Sequence, residues 1–484
     1  MKHTSLIAAL LSSGLLCGTL AAAPKAAGAK PEGQPEPTVY THYQDWRFQP
    51  VTTTDPDAWT NVRNQMDFTV PIHGPWLTNP SETGMTVTWI TRIRSAGGIE
   101  YRKKGTENWT KIWKTRCGQV DYTSDIQSIH LKDLKPGTEY EYRLLSNLDR
   151  YNTAYYGTVC EGREIYTFRT LNPEQTSCKV FVTSGFSGSA RLTLDPMIER
   201  TNAADSDLFV FLGDSTEIGV GYKMRYLITL GFLDDITRKW GKTKPTLFLR
   251  GDRELDGSDS YFYGDYFPRP DGKLYHALTL GPVLFICLDT MADTPEPVQK
   301  EQYINYLKEQ ANWLAGLKKT EMWKKAAFRV VLGHFSPVEF SAASKNLSEA
   351  FRDVLNDTSA EGRIHLYLAG HEPAYFRINP GSKELIGGNN AFKDDSKVFQ
   401  RIAARAAKLI PDNVPYTLTV CHIREGMTLE ADAQKLTVKS CRWDKIDGGV
   451  YDSFEIAPDG KVKTLIEDPL IGPSQAAPKA AVKK

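Results

Sequence analysis

Phe209-Val210-Phe211-Leu212-Gly213-Asp214 and Leu247-Phe248-Leu249-Arg250-Gly251-Asp252 each carry an apolar run into Gly-Asp, while Val330-Val331-Leu332-Gly333-His334 and Leu366-Tyr367-Leu368-Ala369-Gly370-His371 carry one into Gly-His. Short apolar runs of this kind read as strands buried on both faces, the habit of parallel sheets. In open α/β sheets, functional residues collect just beyond the carboxyl ends of such strands. Taken singly, Gly-Asp reads as a turn and Gly-His as a loop or cap. Four in one α/β segment predict that two Asp and two His meet at one sheet edge. Two carboxylates and two imidazoles are a donor set suited to Fe, Zn or Mn.

Working outward, residues 178 to about 372 alternate short apolar strands with helical stretches, the pattern of an α/β domain. A helix is expected at 299–319, where Tyr303, Tyr306, Leu307, Trp313, Leu314 and Leu317 recur at helical spacing. Residues 384–412 are rich in Gly, Asn, Asp, Lys and Arg and read as an insertion or surface loop. Strands near 416–421 and 435–441 follow, so the α/β domain is taken as 176–468. Upstream, 66–172 reads as all-β, with Met85-Thr86-Val87-Thr88-Trp89-Ile90 alternating as a strand does. The stretch Leu134-Lys135-Pro136-Gly137-Thr138-Glu139-Tyr140-Glu141-Tyr142 resembles the tyrosine-corner region of fibronectin type III sandwiches.

Length and charge narrow the classes. A chain of 484 residues exceeds one ordinary core. With 59 basic and 58 acidic residues, it offers no electrostatic case for nucleic acid or an anionic membrane. Lys2 and His3, an apolar run to Leu20 and then Ala21-Ala22-Ala23 read as a signal peptide over 1–23, which implies export to a periplasmic or extracellular space. The run is short for a membrane span, and no other segment reads as one. Leu16 before Cys17 argues against a lipoprotein anchor. Residues 24–65 form a linker or arm, and 469–484 a disordered tail. The two disulfide pairings considered are Cys117 with Cys160 and Cys421 with Cys441, whereas Cys287 reads as a buried free thiol.

The ordered motifs Gly213-Asp214-Ser215-Thr216-Glu217, Gly251-Asp252-Arg253-Glu254, Gly333-His334 and Gly370-His371-Glu372-Pro373-Ala374-Tyr375-Phe376-Arg377 resemble those of calcineurin-like metallophosphoesterases of the purple acid phosphatase type. Gly74-Pro75-Trp76-Leu77-Thr78-Asn79-Pro80 is similar to the start of their N-terminal module. The resemblance spans roughly residues 70–460. It implies a multidomain fold: an all-β, fibronectin-like sandwich followed by an α/β metallophosphoesterase sandwich domain.

The departures from the family pattern bear on chemistry. Phe186 falls where the family has its first metal-binding Asp, Glu217 where it has a Tyr ligand and Pro373 where it has its last His ligand. The surviving set, Asp214, Asp252, His334 and His371, implies one divalent or trivalent ion rather than a pair about 3.5–4 Å apart. It also implies loss of the purple colour that depends on the Tyr. Arg253 stands where active members have a His resembling a general acid, and an arginine stays protonated. It can bind a phosphate oxygen or pair with Glu217, Asp252 or Glu254. Glu217 can be a ligand, a general base on metal-bound water or a helix-start carboxylate. His73, His365 and His422 belong to no motif and read as structural. Two functions follow: a secreted single-metal hydrolase of phosphate esters, or an inactive relative that binds a phosphorylated ligand or an unidentified partner protein.

Overall fold

A computed structural model describes residues 71–91, 94–147, 164–185, 194–216, 231–256, 260–290, 294–338, 341–371, 375–383, 414–421, 425–442 and 449–467, with the strands at 38–40, 51–53, 159–161 and 385–387. Two compact units cover 1–65 and 66–484. In the first, Thr38–Tyr40 and Val51–Thr53 form an antiparallel ladder. The second holds a β-sandwich followed by an α/β domain.

In the sandwich, Pro71–Thr78, Met85–Thr91 and Ile126–Leu131 make a three-stranded sheet. It faces a five-stranded sheet built on Ala96–Lys103 and Glu139–Asn147. Met85, Val87 and Trp89, two apart along one strand, turn to the same face and pack with Ile129, Leu131, Tyr140 and Tyr142. The tyrosine-corner expectation is met at Tyr140, whose hydroxyl accepts the Lys135 N–H at 2.8 Å.

The α/β domain contains two seven-stranded sheets. In one, the strands Cys178–Thr183, Leu208–Phe211 and Thr246–Phe248 run parallel. In the other, Val283–Cys287, Phe328–Leu332, Leu366–Ala369 and Thr417–Val420 run parallel. Alternation along each strand assigns its faces. Val180, Val182, Leu208 and Val210 turn inward onto Val283, Phe285, Val330, Leu332, Leu366 and Leu368 of the opposite sheet. Phe181, Phe209 and Phe211 turn outward onto the helices Leu194–Arg200 and Gly231–Ile236. On the other side Leu284, Ile286, Val331 and Tyr367 pack on the helices Pro297–Leu317 and Ala342–Leu355. The four motif strands therefore belong to two stacked sheets, not to one sheet edge. A strand apolar on both faces carries no mark of which sheet it joins.

The long helix starts two residues earlier than its periodicity implies. Pro297 occupies its first turn, and the Glu296 side chain caps the N–H groups of Val298 and Gln299. The stretch read as a loop contains the strand Leu385–Gly387, paired with Phe376–Ile378; residues 388–413 lie outside the described set. Neither proposed disulfide is present. Cys117 is a free, exposed thiol at the turn between Thr115–Arg116 and Gln119–Val120. Cys421 and Cys441 are buried, are not bonded to each other and lie on opposite sheets rather than on neighbouring strands. Cys287 is buried and free, as expected. Among the described residues, no helix is long and apolar enough to cross a membrane.

Trp76, Ile90 and Ile126 of the sandwich pack with Phe209, Phe211, Phe232 and Trp240 on the outer face of the first α/β sheet. The Trp76 indole N–H donates to the Tyr266 carbonyl at 3.1 Å, and the Tyr142 hydroxyl to the Lys242 carbonyl at 2.8 Å. His73 meets Asp234 at 2.8 Å, a structural role as anticipated. Trp76 is fully buried, so Trp76→Ala should cost about 3–5 kcal/mol by chemical denaturation. A cost below about 1 kcal/mol would show that the sandwich is not held by this contact.

Candidate metal centre

The site lies where the carboxyl ends of the two sheets meet. The first sheet supplies Asp214, three residues past Leu208–Phe211, and Asp252, four past Thr246–Phe248. The second supplies His334 and His371, each two residues past its strand, Phe328–Leu332 and Leu366–Ala369.

Backbone geometry explains the glycines. Gly213 has φ 96° and Asp214 φ 56°, both in the left-handed region. A Cβ on Gly213 would strike the His334 ring and sit 2.8 Å from the Gly251 Cα. One on Gly251 would lie 2.6 Å from the Asp214 backbone nitrogen. The turns touch backbone to backbone, so both close approaches require glycine.

Glu254 holds those turns together. Its buried carboxylate accepts N–H groups from Gly251 (2.7 Å), Asp214 (2.9 Å), Ser215 (2.7 Å) and Thr216 (2.8 Å), and the Thr216 hydroxyl at 2.9 Å. In the sequence alone Glu254 stands out only as a possible partner for Arg253. The signal available was its place three residues after Gly251, within Gly251-Asp252-Arg253-Glu254.

His334 is completely buried. Its Nδ1–H donates to the Leu212 carbonyl of the opposite sheet at 2.6 Å, which fixes the tautomer and aims Nε2 at the carboxylates. Nε2 lies 2.9 Å from Asp252 Oδ1 and 3.4 Å from Asp214 Oδ1. His371 Nδ1 lies 3.1 Å from the same Asp252 oxygen and 3.2 Å from His334 Nε2. One donor atom from each of the four residues falls within 4.8 Å of all the others. A four-coordinate ion with bonds near 2.0–2.1 Å separates its ligand atoms by about 3.3 Å. The chemistry of the donor set and its closeness suit a metal ion.

The clustered groups shift one another's protonation. Burial, with Glu254 and Asp252 adding repulsion, pushes the Asp214 carboxyl up to about 6 against the pull of His334. Burial disfavours a charged Asp252, yet hydrogen bonds from His334 and His371 hold it far below the usual carboxylate range. Burial also opposes a charged His334, but Asp214 and Asp252 outweigh it and raise it to about 9.

Arg253 sits at the rim, its side chain 46% exposed and its Nε 3.7 Å from Asp214 Oδ2. Its backbone N–H donates to Asp214 Oδ1 at 3.1 Å. Asp214 is thus an acid it pairs with among the described residues. Glu217, Phe186, Pro373 and His422 lie outside the described set. Tyr375 and Arg377, although part of the motif that begins at Gly370, are buried in the core and bind Asp452. His365 is also buried; it accepts the Arg329 N–H at 3.1 Å and faces the Pro458 carbonyl at 3.0 Å.

Residues 74–170 match the purple acid phosphatase N-terminal domain. A purple acid phosphatase from yellow lupin (Lupinus luteus) seeds superposes with a TM-score of 0.55 at 16% identity, covering 80% of this chain and 75% of that one. The fold is shared with that purple acid phosphatase structure. A structure of PhoD gives a TM-score of 0.55 at 12% identity, covering 84% of this chain and 94% of that one. No curated protein matches the chain by sequence. Within the purple acid phosphatase-type fold, the four clustered residues are those expected from the motifs.

Two predictions follow from this geometry. Glu254→Gln turns an amide toward N–H donors, and should cost at least about 2 kcal/mol in denaturant and weaken metal binding about 10–100-fold. Unchanged metal affinity would remove Glu254 as an organiser. Metal uptake should also be pH-dependent, because an ion must displace protons from its ligands. With His334 protonated up to about 9 and Asp214 up to about 6, apparent manganese affinity should rise about tenfold per unit between pH 6 and 8. It should rise more steeply below 6. A flat titration would contradict the ligand assignment.

Proposed function

We propose that the protein is an exported, metal-dependent hydrolase of phosphate esters working at a single-metal site. The observation that carries this reading is the convergence of Asp214, Asp252, His334 and His371 on one point at the joint end of two sheets. Export rests on the charged, apolar and small-residue succession of residues 1–23. The four side chains would hold the ion, which supplies Lewis acidity toward a phosphoryl oxygen.

The remaining work falls to the chain's own groups. The half-exposed Arg253 can present N–H donors to a phosphoryl oxygen and stabilise its charge. Its attachment to Asp214 keeps it at the rim of the cluster. Seating His334 and the Glu254 carboxylate in the dry interior holds the polar atoms in place before substrate arrives. Glu217 is proposed as a base or additional ligand on its position in the motif. The permanent charge of Arg253 favours a second reading, in which the site binds a phosphorylated ligand without turnover.

The test is turnover of aryl phosphate monoesters and diesters by the full chain loaded with zinc, manganese or iron. His334→Ala should abolish both metal binding and activity. Arg253→Ala should retain metal but raise KM about 10–100-fold, the worth of a charged hydrogen bond. Unaltered activity in His334→Ala would refute the site. Phosphate binding without turnover of any ester would establish the second reading.

A further inference from the structure

Arg250 precedes Gly251-Asp252 at the end of a first-sheet strand, and Asp289 follows the second-sheet strand Val283–Cys287. The two side chains meet across the gap between the sheets. Arg250 Nη2 donates to Asp289 Oδ2 at 2.6 Å and Nε faces Oδ1 at 3.3 Å, a fork-on-fork pair with exposures of 16% and 2%.

Both ends of this pair are anchored next to ligands. Asp289 is fixed by Gln310 of the helix Pro297–Leu317, whose side-chain oxygen accepts its N–H at 2.9 Å and whose amide donates to its carbonyl at 2.9 Å. The neighbouring Thr290 hydroxyl accepts the backbone N–H of His334 at 3.1 Å and of Phe335 at 2.9 Å. One covalent path thus runs from Arg250 through Gly251 to Asp252. The other runs along the chain from Asp289 to Thr290 and from there, by hydrogen bonds, to the turn that carries His334. Between those path ends, Asp252 Oδ1 and His334 Nε2 stand 2.9 Å apart.

From this geometry we infer that Arg250 and Asp289 are positioning residues that set the distance between Asp252 and His334, and thereby the affinity of the site for its ion. The inference rests on the metal-site reading. Stability alone is a poor account of the pair, since a buried ion pair replaced on both sides by apolar groups is often neutral for folding, whereas removing one partner strands a charge. What apolar groups cannot reproduce is the bidentate, directional tie between two turns.

The experiment measures zinc affinity of the full chain by calorimetric titration, beside the denaturation midpoint of the metal-free form. The double variant Arg250→Met/Asp289→Leu should keep its midpoint and bind zinc about 10–100-fold more weakly, the usual loss when a group behind a ligand is removed. Arg250→Lys keeps the charge without the fork and should give an intermediate loss. A folded double variant that binds zinc as tightly as the unaltered chain overturns the inference. Should the double variant not fold, Arg250→Lys decides: affinity within twofold of the unaltered chain also overturns it. Absence of zinc binding by the unaltered chain would remove the site itself, and the inference with it.

Discussion

The hydrogen bond from His334 Nδ1–H to the Leu212 carbonyl joins the two sheets at their carboxyl ends. A fully buried imidazole needs a partner for each nitrogen, since an unsatisfied polar group in a dry interior is costly. The Leu212 carbonyl satisfies one nitrogen, and the other is left facing Asp214 and Asp252. The rest of the centre is arranged around that ring: a glycine turn that lets it approach, a carboxylate that ties the turns and a rim arginine.

The site is a product of sheet stacking more than of any single strand. Each sheet contributes one chemical type, carboxylates from the first and imidazoles from the second. Only their face-to-face packing brings unlike donors within bonding distance of a common point. The apolar layer between the sheets, from Val180 and Val210 to Phe285 and Leu368, therefore bears on the chemistry as well as on stability.

Much of this was legible in the sequence. Strand ends followed by Gly-Asp and Gly-His named all four cluster members, because buried strands are short apolar runs and glycine marks a tight turn. The sandwich was legible through its alternation and the Tyr140 corner. Assignment of the strands to two sheets was not, since residues apolar on both faces fit either one. The role of Glu254 was hidden because an acidic residue in a loop usually faces solvent, and its partners are backbone groups up to 40 residues away in sequence. The supposed pair Cys421 and Cys441 failed for the same reason as the single-sheet expectation: neighbours along the chain were separated by sheet membership.

The central claim is that the four strand-end residues form one ion site rather than half of a working two-ion site. Elemental analysis of the purified full-length chain, saturated with zinc, manganese or iron and then freed of unbound ion, tests it most directly. The account predicts one metal ion per chain. A stoichiometry of two, or of none under every loading condition, would contradict it.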